Sequence, residues 1–291
     1  MKSRCWIGVA AVAIGMAFVA PASADSAPLS AAVLGVGGGN YGRIDGDMRM
    51  RGPGFEQTAV TYLNKNGNGY IVLVTMQSMV DDQKTGTWGP WQCACSSYQL
   101  NASAPPTQIA SLVQLTNYDN TERPCNHPAT ATDGNYIAWM YGSDYMSNRT
   151  NTYAGVLDEQ CRTVVPPQMV SMTDNNNDGA PHIVFNGTSN GASIFTGGYL
   201  STGGNNDKVY GLGLSLTANA DGVTMALKRS WLMPIIEPSN IGRPTLAADN
   251  LNRTLFCASQ GNNRPAEGGI SCAYLDSMTG NTLFKNTMVP A

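Results

Sequence analysis

One phrase returns four times along this chain. An apolar, strand-like run ends at Asn or Asp, a short polar or Gly-rich loop follows, and a second apolar run begins. It reads TAVTYLN-KNGNG-YIVLVT at 58–75, ATATD-GN-YIAWMY at 129–141, MVSMTD-NNNDGA-PHIVF at 169–185 and TLAAD-NLNR-TLFCAS at 245–259. The runs are short, rich in Val, Ile, Thr and aromatic residues, and divided by Asn-Gly, Asp-Gly and Gly-Gly turns, which is the signature of hairpin-linked strands. No sustained helical period occurs after the first two dozen residues. A small sheet repeated in this way cannot bury its faces alone and needs neighbours stacked on it. The expected fold is therefore all-β, a β-propeller of four four-stranded blades, or five if residues 29–52 add closing strands. A β-sandwich built from hairpins is the structural alternative.

The repeats divide the chain at about 55–116, 125–167, 168–235 and 242–291, all within a single domain over 25–291. The third is expected to use PQMVSMTD, PHIVFNG, SIFTGGYLS and VTMALKRSWL as strands, with a Gly/Asn-rich insertion at 201–222. Similar endings at Gly155–Asp158, Gly198–Ser201 and Ala273–Asp276 mark the expected third strands.

Residues 1–24 read as a secretory signal: Lys2 and Arg4, an apolar run from Trp6 to Val19, and the small-residue cleavage site Ala22-Ser23-Ala24. The expected setting is secreted, extracellular or periplasmic, with no membrane insertion of the mature chain. Losing the leader takes away two basic residues and no acidic ones, so a net charge of −3 becomes more negative. Such a chain offers no basic stripe for nucleic acid. Six cysteines remain after Cys5 leaves with the leader, an even number that favours disulfides in an exported protein. Cys257 and Cys272, in successive strands, form the best local pair. Cys93 and Cys95, two apart on one strand, point to the same face and are expected to pair separately with Cys125 and Cys161.

Candidate chemistry is sparse. Asp174-Asn-Asn176-Asn-Asp178-Gly179 sets side-chain oxygens at alternate positions with a Gly for the sharp turn, a spacing that suits a hard cation. A loop of this type followed by an apolar strand, here Pro181 to Phe185, resembles the FG-GAP/VCBS repeats of integrin-α-type propellers. The resemblance implies calcium held by Asp174, Asn176 and Asp178 between two strands of one blade. The chain departs from that pattern at His182, where the family usually has another Asp. Asn64-Lys-Asn66-Gly-Asn68-Gly69 is a charge-free echo of the loop.

Trp88 and Trp91, flanking Gly-Pro, are the candidate sugar-stacking residues, whereas Trp139 and Tyr141 read as core. Gly37 to Gly42 matches a dinucleotide motif without the helix it needs. Gly187-Thr-Ser189-Asn-Gly191 matches a nucleophile elbow but sits between two strand runs, where it reads as a hairpin loop. No catalytic residue is singled out. The expected function is a binding or adhesion module for a glycan or cell-surface protein, calcium-stabilised. Its alternatives are a secreted polysaccharide-active hydrolase and a structural module of an envelope assembly.

Overall fold

The computed structural model describes residues 55–78, 81–82, 87–88, 91–116, 125–143, 150–172, 177–203, 207–219, 224–237, 243–249, 251–259 and 269–288. The expected leader and the closing strands expected from 29–52 lie outside them. Blade one runs β1 (Phe55–Lys65), β2 (Asn68–Ser78), a small ribbon of β3 (Asp81–Asp82) and β4 (Thr87–Trp88), then β5 (Trp91–Gln99) and β6 (Thr107–Gln114). Blade two holds β7 (Asn126–Thr132), β8 (Ile137–Ser143), β9 (Asn151–Leu157) and β10 (Thr163–Met169). Blade three holds β11 (Asn177–Ser189), β12 (Ala192–Thr202), β13 (Lys208–Ala218) and β14 (Met225–Ile236). Blade four holds β15 (Thr245–Ala248), β16 (Arg253–Ser259), β17 (Ile270–Asp276) and β18 (Thr282–Met288).

Each blade is an antiparallel meander whose strands pair in chain order. The first strands β1, β7, β11 and β15 lie beside one another in succession. That is the geometry of a β-propeller, with first strands innermost, and it replaces the sandwich alternative.

The core is divided into three interfaces between blades. Leu63, Val72 and Val74 of blade one pack on Trp139 and Tyr141 of blade two. Ala138, Met140 and Val156 of blade two meet Phe195, Leu212 and Leu214 of blade three. Val209 and Ile235 of blade three close on Leu246 and Phe256 of blade four. Middle strands are covered on both faces, which explains why β8 and β9 are buried at every position, Ser143, Asn151 and Thr152 included. Gly197 and Gly198 on β12 show how close the blades come. A Cβ at the first would lie 2.6 Å from Met140 Sδ of blade two, and one at the second 2.7 Å from the Phe256 ring of blade four.

Disulfides join Cys93 to Cys125 and Cys95 to Cys161, stapling blade one to blade two, and Cys257 to Cys272 across β16 and β17. Cys257–Cys272 is the expected local pair, and Cys93 and Cys95 pair separately with Cys125 and Cys161; which takes which was open in the sequence.

The third repeat differs from its expected strands. Thr163–Met169 is the fourth strand of blade two, and one long strand, β11, takes both Asn177–Gly179 and the PHIVF run. The expected insertion at 201–222 contains β13. Its Gly211 and Gly213 dilute the apolar pattern, yet a Cβ at Gly213 would lie 2.2 Å from Trp231 Nε1. The Gly198–Ser201 ending therefore belongs to a second strand, not a third.

Candidate functional site at the upper end of the inner strands

Because strands alternate in direction, all first strands begin at one end of the propeller, here called upper. The turns after first and third strands lie at the lower end. Lys65, closing β1, pairs at 2.7 Å with Glu159 in the turn after β9, which fixes blade one in the same sense as blade two.

At the lower end, Asp133, Asp158, Asp249 and Asp276 are each held by the turn they open. Asp133 Oδ1 accepts the backbone N–H groups of Asn135 and Tyr136 at 2.8 Å, and its Oδ2 accepts Ser193 Oγ at 2.6 Å. Asp158 Oδ1 accepts Gln160 and Arg162 N–H at 2.9 Å, while Arg162 Nε donates to Oδ2 at 2.6 Å. Asp249 repeats that arrangement with Leu251 and Arg253, and Tyr274 Oη also donates to it. The Tyr274 hydroxyl, more than any other partner, holds the Asp249 carboxyl down at about 2. Asp276 caps Met278 and Thr279. These are Asx turns, and their acids are structural.

The upper end is built differently. Three successive blades present an X-Pro dipeptide there: His127-Pro128, Ala180-Pro181 and Arg243-Pro244. Together the six residues line an open pocket of about 160 Å³. In blades two and three the dipeptide is a β-bulge. His127 and Pro128 together oppose Tyr141, and Ala180 and Pro181 oppose Tyr199. Proline suits the bulge because it has no N–H to leave unpaired in the ladder. Both bulges also turn the residue before proline into the left-handed region, with φ of 51° at His127 and 49° at Ala180. A side chain there costs of order 1 kcal/mol or more.

His127 bears a second cost. Its two ring nitrogens are enclosed and have no hydrogen-bond partner among the described residues. Burial first, and the Arg243 guanidinium second, lower its pKa to about 4, so the ring is neutral at pH 7. Arg243 is exposed and has no ion pair or hydrogen bond among the described residues. His182, one residue beyond Pro181, is by contrast structural. Its Nδ1 accepts Leu246 N–H at 2.9 Å, tying β11 to β15, and burial lowers its pKa.

The sequence-derived candidates distribute unevenly over this geometry. Asp174 and Asn176 lie outside the described residues. Asp178 lies on β11 with its carboxylate oxygens enclosed, its N–H donating to Thr150 O and its C=O accepting Thr152 Oγ1. Between β10 and β11 the chain passes from one blade to the next, whereas the FG-GAP/VCBS resemblance implies a loop within a blade. Trp88 ends β4 and Trp91 opens β5, which places both positions at the upper end. Their side chains lie outside the description.

Trp139 is buried core, stacked on Tyr141. Ser189 belongs to the β11–β12 hairpin, whose turn is Asn190-Gly191, both at positive φ, in keeping with the hairpin reading. His127, Ala180 and Arg243 were not singled out by sequence. The signal available was the recurrence of X-Pro near the start of three first strands, within β7 and β11 and just ahead of β15.

No protein-family model matches this sequence, and no curated protein does. Among solved structures, the chain is similar to the GH93 α-L-arabinofuranosidase of Fusarium graminearum in complex with arabinobiose. The identity is 12%, covering 80% of this chain and 66% of that one, with a TM-score of 0.46. It is similar to the α-L-arabinofuranosidase CtGH43 of Clostridium thermocellum at 12% identity, covering 80% and 72%, with a TM-score of 0.42. It is also similar to the β-1,2-mannobiose phosphorylase of Listeria innocua at 9% identity, covering 81% and 78%, with a TM-score of 0.41. Likenesses this distant do not carry a reaction over, and the β-propeller assignment rests on the sheet order above.

Proposed function

We propose that this protein is an exported carbohydrate-binding propeller whose ligand seat is the X-Pro pocket at the upper end. The observation that carries the reading is His127: a strained backbone, two enclosed and unpaired ring nitrogens, and a cation beside it. Such costs persist where a binding site requires them, and the rest of the propeller supplies the stability that tolerates them. Pro128, half-buried at the pocket, offers a C–H face to a sugar ring, Arg243 offers a fork of donors to its oxygens, and the Trp88 and Trp91 positions lie at the same end for stacking. A glycan array probed with chain 25–291 tests the reading. Binding by the native chain and its loss in a His127→Gly/Arg243→Ala double variant is the expected outcome. Equal binding by the variant, or no binding by either, overturns it.

A second reading, polysaccharide hydrolysis, draws on Asp178, a buried carboxylate just ahead of Ala180 at this same end. General acid catalysis favours an acid shielded from water. Release of reducing sugar from polysaccharide by the native chain, abolished by Asp178→Asn, would establish hydrolysis over binding. Absence of release with intact binding would reject it.

A further inference from the structure

The charge pattern of the pocket narrows its ligand, on the proposal that this pocket is the glycan seat. The six lining residues contribute one cation, Arg243, one imidazole, His127, and no acid. The acids of the lower end are satisfied by their own turns, and Asp178 at the upper end has its carboxylate enclosed. Arg243 thus lines the pocket with no counter-ion among the described residues, in a chain whose net charge is −3.

Guanidinium matches a carboxylate in shape, through two parallel N–H···O bonds, far better than it matches a single hydroxyl. The pocket is open and small, about 160 Å³, which suits one unit of a ligand rather than a long stretch of it. Two of the three X positions hold polar side chains, while the third is Ala180, which leaves space between them.

We infer that the pocket selects an acidic sugar unit, a uronate, with its carboxylate on Arg243 and its ring against the half-buried Pro128. Arg243 sets the specificity. Pro128 accepts the C–H face and does not distinguish acidic from neutral sugars.

Isothermal titration calorimetry of chain 25–291 with D-glucuronate, D-glucose and sodium sulfate as separate probes tests this. Glucuronate is expected to bind about tenfold to a hundredfold more tightly than glucose, since charge-assisted bonds are about twice as strong as neutral ones. Arg243→Gln is expected to reduce the two sugars to equal affinity, and Arg243→Lys to keep part of the preference. Equal affinity of the native chain for both sugars overturns the inference and leaves the pocket as a glycan seat. A preference that survives Arg243→Gln overturns it as well. Sulfate binding as tightly as glucuronate would show a simple anion site and defeat the sugar assignment. No binding of any probe defeats both this inference and the glycan reading on which it rests.

Discussion

The two ends of this propeller treat their polar residues in opposite ways. At the lower end, Asp133, Asp158, Asp249 and Asp276 each accept backbone N–H groups of the turn they open. Asn186 binds Thr254 and Ser277 across to blade four and accepts Thr196 Oγ1. At the upper end, His127 sits at positive φ with unpaired nitrogens, and Arg243 stands without a partner among the described residues. One end is satisfied locally and holds blades together. The other keeps unsatisfied groups in a pocket. Polar residues that recur in sequence are thus poor guides to function here, because recurrence marks the turns.

The largest expected effect is at the satisfied end. Asn186→Ala removes a buried network joining blades three and four, and a loss of about 2–4 kcal/mol in denaturant unfolding is expected. Asp158→Ala, with three bonds to its own turn, is expected to cost about 1–3 kcal/mol. If either change is neutral, the lower end is not the structural one.

The upper end should respond with the opposite sign. His127→Gly relieves the left-handed backbone and the unpaired nitrogens, so a gain of about 0.5–1 kcal/mol is expected, together with loss of ligand binding. A destabilised His127→Gly protein would make His127 a core residue like His182.

Acid separates the ends further. His127 is neutral in the fold, with a pKa of about 4, but takes a proton below about pH 6.5 when unfolded. Its contribution is present above pH 6.5 and lost as pH falls towards 4. His182 acts in the same direction. Asp249, depressed to about 2, keeps its contribution above its unfolded value near 3.9 and loses it as pH falls towards 2. Chemical denaturation across pH should show both windows. His127→Gly is expected to reduce the upper window to the part carried by His182, and Asp249→Asn to remove the lower one. Identical pH profiles in all three proteins would contradict the assignment.

The smallest effect concerns calcium. With the Asp178 carboxylate enclosed, a chelator is expected to leave Tm unchanged. A drop of several degrees would support the Asp174–Asp178 segment as a cation seat.

Much of the architecture was legible because strands and turns are local. Asp133-Gly-Asn, Asn190-Gly191 and the apolar runs beside them announce hairpins through chemistry within a few residues. Period-two spacing put Cys93 and Cys95 on one face and so gave them separate partners, but not which of Cys125 and Cys161 each takes. β13 escaped because Gly211 and Gly213 answer to Ile235, Phe256 and Trp231 on neighbouring strands, not to strand propensity. The extent of β11 escaped because a polar Asn-rich run leads straight into it. The pocket was not legible at all. His127, Ala180 and Arg243 are unremarkable in sequence, and only the ring brings them together. The bulges that strain two of them arise from register against Tyr141 and Tyr199.

The central claim is that ligand is handled at the upper end. Backbone amide exchange of chain 25–291, measured with and without saturating D-glucuronate, tests it most directly. Protection is expected at 126–129, 179–182 and 243–246, with no change at 133–136, 158–162 and 249–253. Protection confined to the lower turns would contradict the account.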